Sequence, residues 1–287
     1  MNEIRVGSWN ELSDALYAES WQVGLGRFRS TLAYRGMADA RDDLRTALAR
    51  LRPDAQRIEA HMLRNFRKYA HHEAAPGDSV WAWLAVGQHH GLPTRLLDWT
   101  YSPFVAAHFA TEDLNQYAHD GVVWCVDYVK TNRLLPQRLG RILLDEGSDA
   151  FTAEMLDRAA RTLEEFDALA TDEFVAFFEP PSLDNRIVNQ YALFSLMSRA
   201  QASLDCWLRE HPDSFRRVII PAELKWEVRD KLDQANVSER VLFPGLDGLS
   251  RWLRRYYEPR GALSGSEDRP ATPGLPRSEP PSIIRPD

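Results

Sequence analysis

Gly87-Gln88-His89-His90-Gly91-Leu92-Pro93-Thr94-Arg95-Leu96-Leu97-Asp98-Trp99-Thr100-Tyr101-Ser102-Pro103 passes from loop to strand to helix within one short stretch. Two glycines and a proline mark Gly87 to Thr94 as a loop. Arg95 to Trp99 is short and apolar enough for a strand. Thr100 and Ser102 then lead into Pro103, the favoured first residue of a helix, which is predicted to bury Phe104, Ala107 and Phe109.

The reading extends outward from there. Downstream, Asp120-Gly121 forms a turn, and Val122-Val123-Trp124-Cys125-Val126 is the clearest buried strand in the chain. Upstream, Asp78 or Ser79 caps a short helix whose Trp81 and Trp83 read as core, and His71 to Gly77 reads as a loop. Near the start, Ser8-Trp9-Asn10-Glu11 fits a capping box, with Ser8 at the N-cap and Glu11 reaching back. The helix it opens carries Leu12, Leu16 and Tyr17 on one face. Phe28 to Tyr34 reads as a strand closed by Arg35-Gly36, Asp39 to Leu51 as helix, and Pro53 as the start of another helix through Ile58, Met62 and Phe66.

Toward the C-terminus, residues 145–170 read as acidic helix and Val175 to Phe178 as a strand stopped by Pro180-Pro181. Asn189 to Met197 is a second apolar stretch, Leu204 to Leu208 sits in a helix, Arg217 to Ile220 is a strand, and Pro221 opens the next helix. A last helix runs through Trp252 and Tyr256. Strands and helices mix without a βαβ rhythm, which predicts an α+β fold. Residues 258–287 hold seven of the 17 prolines and few large apolar side chains. Such a segment buries too little surface to offset its ordering entropy, so the chain divides into a folded region, 1–257, and a disordered Pro-rich tail, 258–287.

With 44% hydrophobic and 27% charged residues the composition is that of a globular protein. No apolar run approaches the roughly 18 residues of a membrane span, and the N-terminus lacks a secretion core. Cys125 and Cys206, both in hydrophobic surroundings, read as two buried thiols of a reducing compartment, which places the protein in the cytoplasm. The net charge of -7 argues against an extended nucleic-acid footprint. The basic stretch 41–68 reads as a solvated helical face, or as an anion-attracting rim above a phosphate site. The histidines His71, His72, His89, His90 and His108 show no metal-ligand spacing, so no metal is expected. There is no P-loop and no G-x-G-x-x-G. Ser102, His90 and Asp98 could be drawn as a hydrolase triad, but no G-x-S-x-G elbow accompanies them.

Tyr34-Arg35-Gly36 resembles the aromatic-Arg-Gly motif of the FRG domain, and Gln88 to Thr100 with Ser102-Pro103 is similar to that family's central signature. Asp120 to Trp124, Asn185-Arg186-Ile187-Val188-Asn189-Gln190 and Leu242 to Leu249 continue the resemblance over about residues 9–255. The family's layout resembles the ADP-ribosyltransferase fold, with small sheets surrounded by helices. The resemblance therefore implies an NAD-using transferase or glycohydrolase, acting as a toxin or anti-phage effector, with NAD as substrate and an unknown macromolecular acceptor.

Carried over residue by residue, Arg35 would hold the NAD phosphates beside Tyr34 and Gly36. Thr100 and Ser102 would supply the hydroxyl element. Gln190 would stand where such transferases usually carry a carboxylate, and Glu179 and Asp98 are alternative carboxylates. Gly36 would let a ligand approach the backbone, His90, Thr94, Arg95 and Asp98 would line the site, and Trp99 or Tyr101 would stack on nicotinamide. Arg35 has a plainer possible role, pairing with a buried carboxylate such as Glu59 or Asp98. A non-catalytic module binding a nucleotide or a protein is the alternative function, and the missing carboxylate favours it.

Overall fold

Val122, Trp124 and Val126 turn to one side of their strand and Val123 and Cys125 to the other, and all five are buried. A strand apolar on both faces belongs inside a sheet covered on both sides. The computed structural model, which describes residues 2–51, 54–70, 76–182 and 184–259, places it there. The strands are β1 (Glu3–Arg5), β2 (Trp21–Gln22), β3 (Arg27–Phe28), β4 (Leu32–Met37), β5 (Leu96–Thr100), β6 (Gly121–Asp127), β7 (Val175–Phe178), β8 (Ala192–Met197) and β9 (Phe215–Ile220). Seven of them form one sheet in the order β1-β9-β6-β4-β5-β8-β7, while β2 and β3 form a separate hairpin. All neighbours in the large sheet are antiparallel except β1, which runs parallel to β9. The fold is mixed α+β, as the sequence predicts.

One face of the sheet carries a continuous core, in which Ala33, Leu97, Trp99, Trp124, Phe177 and Ile219 pack with Trp207 of the helix Leu204–Glu210. The other face carries two separate cores. Tyr34, Val123 and Val218 pack with Leu12, Leu16, Ala106 and Val228, whereas Leu96, Phe178 and Phe194 pack with Trp81, Phe151, Leu156 and Phe166. These two cores part at the seam between β4 and β5. Six residue pairs join β4 to β6, but among the described residues only Tyr34 and Thr100 join β4 to β5.

Gly36 fixes how closely the next layer approaches. A Cβ at Gly36 would lie 1.8 Å from the Ala106 carbonyl oxygen and 2.6 Å from the Ala110 nitrogen. Only glycine lets the helix Pro103–Phe109 settle this near to β4. The close approach predicted at Gly36 is thus made to a helix of the same chain.

Several local expectations change. The strand does not end before Arg35-Gly36 but runs through both to Met37. Of the helix expected over Asp39 to Leu51, only Ala47–Leu51 forms. Asp39 accepts from the Arg41 amide and guanidinium and Asp43 from those of Arg45, and these side-chain bonds compete with helical ones. Gly87 to His89 are not loop: the helix Val80–His89, capped by Ser79, includes them, and the chain turns only at His90. The acidic helix over 145–170 is broken, because the chain past Gly147 (φ 61°) pairs Phe151 with β7 through the Phe177 carbonyl. Glu11 accepts from the Gly7 amide at 2.8 Å, one residue before the N-cap, while Ser8 caps as predicted. Cys125 is buried, and burial pushes its thiol up to about 12, but Cys206 is exposed. Phe104 and Phe109 are only partly buried. Pro53, residues 71–75 of the expected loop and residues 260–287 of the expected tail lie outside the described residues.

Candidate functional site

Beyond the Tyr34–Thr100 pair, β4 and β5 no longer share backbone hydrogen bonds, and the Arg35 side chain enters the gap. Its Nη1 donates to the Asp98 carbonyl oxygen at 2.6 Å. Its Nε is buried without a hydrogen-bond partner, and among the described residues no ion pair holds its guanidinium. Burial depresses the Arg35 pKa, the Asp98 charge opposes this, and nearby Arg50 adds to the depression. A guanidinium keeps its proton in a protein. A half-buried cation with spare donors, bordering a cavity, favours an anion there.

That cavity is a cleft of about 410 Å³. The end of β4 supplies Met37 and Ala38, the segment after Pro103–Phe109 supplies Glu112 and Asp113, and the helix Asn185–Gln190 supplies Arg186 and Gln190. Asp184 caps that helix by accepting from the Arg186 and Ile187 amides. Arg186 packs its guanidinium over the Phe243 ring at 5.0 Å, contacts the His89 carbonyl oxygen at 3.4 Å, and leaves its own Nε buried and unpartnered. Two arginines with spare donors thus face one cleft.

The cleft brings Arg35, Asp98 and Gln190 together. Asp98 is exposed and accepts from the Gln88 amide at 2.7 Å, and Gln88 in turn accepts from Thr94 at 2.5 Å. Gln190 donates its amide to the Leu242 carbonyl at 3.1 Å.

Other residues singled out in the sequence have structural tasks. Tyr34 is fully buried, and its hydroxyl donates to the Leu16 carbonyl at 3.0 Å. Trp99 borders the cleft but is largely core, donating to Ser195 Oγ at 2.8 Å and packing on Phe177. The Thr100 hydroxyl donates to the Gln190 carbonyl at 2.7 Å, tying β5 to that helix. Ser102 caps Pro103–Phe109 and is absent from the cleft wall. Thr94 is buried, and His90 lines a neighbouring groove with Arg186 and Arg251. Among the described residues no hydrogen bond joins Ser102, His90 and Asp98.

Arg95 also turns away from the cleft, into a buried cluster with Glu59 and Asp167. Burial opposes its charge, but Glu59 and Asp167 outweigh burial and hold its pKa above the ordinary guanidinium value. Glu59 is therefore engaged by Arg95, not by Arg35. Glu179 accepts from the Tyr101 hydroxyl at 2.9 Å and does not line the cleft. In the basic stretch, Arg41 is paired with Asp39, and Arg45 and Arg50 with Asp43, so much of its charge is compensated locally. Sequence reading passed over Glu112 and gave Arg186 no role. Glu112 belongs to no motif, and Arg186 stood inside one without a physical cue to its task.

The class of protein defined by these features is an α+β domain with a cleft at a sheet seam, lined by Arg35 and Arg186 and by the carboxylates Asp42, Asp98, Glu112 and Asp113. Residues 30–119 match the family model of the FRG domain, and an FRG domain is present there. The match contains Arg35, Asp98 and Glu112, and leaves Arg186 and Gln190 outside it. No curated protein and no solved structure matches the chain. No described helix is long and apolar enough to cross a membrane. Among the described residues, no group of three His, Cys, Asp or Glu side chains is arranged to hold a metal.

Proposed function

We propose that this chain uses NAD as an ADP-ribosyltransferase or NAD glycohydrolase, with the cleft at the β4–β5 seam as its active site. The observation that carries the reading is Arg35, a half-buried guanidinium with a buried, unpartnered Nε, whose one hydrogen bond among the described residues goes to a backbone carbonyl and which borders a cleft of about 410 Å³. Ligand pockets are typically roughly 300–1,000 Å³. Arg35 and Arg186 would hold the pyrophosphate through charge-assisted hydrogen bonds. The nicotinamide ribose would lie toward Gln190 and the carboxylates along the cleft.

In the reaction, the bond from ribose C1′ to the nicotinamide nitrogen breaks, and its electron pair neutralises the pyridinium. An acceptor oxygen, from water or a hydroxyl, bonds C1′ and releases a proton. Negative charge placed near the ribose favours this step, because positive charge develops on C1′ and the ring oxygen. Gln190 supplies a hydrogen bond without that charge, whereas Asp98 and Glu112 supply carboxylates on the same cleft.

NAD consumption by the purified chain, with and without cell lysate, tests the proposal. Turnover lost in Arg35→Ala is the expected result. Arg35-dependent NAD binding without any turnover would replace it with a non-catalytic nucleotide-binding module. Wild-type turnover in Arg35→Ala would remove the reading altogether.

A further inference from the structure

A proton released by the acceptor has to be received, and Gln190 cannot receive it: an amide is a negligible base, and its nitrogen is committed to Leu242. Asp113 is occupied as the cap of the turn Leu114–Gln116, accepting from the Asn115 amide at 3.0 Å. Asp98 is held by Gln88. Glu112 is placed differently, with a buried imidazole behind it.

His108 is fully buried, and its Nδ1 lies 2.8 Å from Nη1 of Arg229, itself fully buried. A guanidinium only donates, so Nδ1 accepts and the imidazole proton resides on Nε2. Burial pushes the His108 pKa down, consistent with a neutral ring. Nε2 has no hydrogen-bond partner and faces Glu112 Oε2 at 3.4 Å. A movement of about 0.5 Å by the carboxylate would close an ordinary hydrogen bond. Glu112 also lines a second groove of about 400 Å³ that leads to Arg251 and Arg254 on the helix Leu246–Tyr257. It stands where that groove meets the cleft, which gives an acceptor a route to the ribose from outside.

We propose that Glu112 is the general base for the incoming acceptor and that His108, its tautomer set by Arg229, is the positioning residue behind it. The proposal rests on the NAD reading above. The acceptor O–H passes its proton to Glu112 as the oxygen bonds C1′. The pair from the breaking C1′–N bond leaves on neutral nicotinamide, and Glu112 returns the proton to solvent.

Nicotinamide release by the full-length chain tests this, comparing wild type with Arg35→Ala, Glu112→Gln, Glu112→Ala and His108→Asn. Glu112→Gln is expected to lower kcat by about 100-fold or more while the NAD dissociation constant stays within about three-fold. Formate, a small external base, is expected to restore about ten-fold of the turnover lost in Glu112→Ala, a rescue that a purely structural defect would not show. His108→Asn is expected to lower kcat about ten-fold with KM unchanged. If Glu112→Gln keeps near-wild-type turnover, or formate leaves Glu112→Ala unrescued, while Arg35→Ala is inactive, this assignment is overturned and the NAD reading stands. No nicotinamide release from the wild type overturns both.

Discussion

Arg35 Nη1 and the Asp98 carbonyl oxygen lie 2.6 Å apart across a seam where two strands of one sheet have ceased to pair. A side-chain donor occupies a place where the sheet ladder would use a backbone amide. This closes the seam and still leaves guanidinium donors for a ligand. Arg95, three residues before Asp98, is the contrasting case, with its donors spent on Glu59 and Asp167.

The two arginines should therefore separate in stability measurements. Arg95→Ala strands the buried Glu59 carboxylate and is expected to cost about 3–5 kcal/mol. Arg35→Ala removes a half-buried cation held, among the described residues, by one hydrogen bond to a carbonyl and no ion pair, and is expected to change stability by about 1 kcal/mol or less. Urea unfolding midpoints check this, and a large loss in Arg35→Ala would mean its role is structural.

Gly36→Ala drives a methyl group into the backbone of Pro103–Phe109, which has no flexible side chain to yield. The expected cost is about 3 kcal/mol or more. A thermal midpoint near that of the wild type would show that the helix can shift away from β4 cheaply.

Glu239 links the last helix to the body through Arg255, which donates to its two oxygens at 2.7 and 2.8 Å. Burial alone would raise the Glu239 pKa, but Arg255 and Arg229 outweigh it and hold the carboxyl at about 2, against an ordinary 4.5. With the folded value below the unfolded one, its contribution is complete above pH 4.5 and is lost as pH falls toward 2. Allowing for partial solvent screening, the contribution is about 2 kcal/mol. The stability gap between wild type and Glu239→Gln should be largest at neutral pH and shrink through that acid window. A gap independent of pH would contradict the assignment.

Arg186 shares the cleft with Arg35 but lies outside the FRG match. Arg186→Ala is expected to weaken NAD binding by about 10–100-fold, the worth of a charge-assisted contact. Calorimetric titration reads this directly, and unchanged affinity would assign Arg186 to packing against Phe243 alone.

Residue order alone determined much of this protein. The apolar runs Val122 to Val126 and Val175 to Phe178, the cap at Ser8 and Pro103 at a helix start are local signals, and each element formed where its signal stood. The sequence also singled out Arg35, Asp98 and Gln190, which meet in one cleft although far apart in the chain. What each of the singled-out polar side chains pairs with was settled only in three dimensions. Arg35 and Arg95 are the same residue type in neighbouring motifs, and which of them stays free depends on where Glu59 and Asp167 arrive from distant helices. Gly36 is read from sequence as room for a ligand beside the backbone, yet the space it leaves is taken by Ala106 of a packed helix. Glu112 carries no local signature, because its distinction is the His108–Arg229 pair behind it, and Arg229 comes from a helix more than a hundred residues away. Burial and long-range partnership are properties of the folded chain, so these roles could be decided only there.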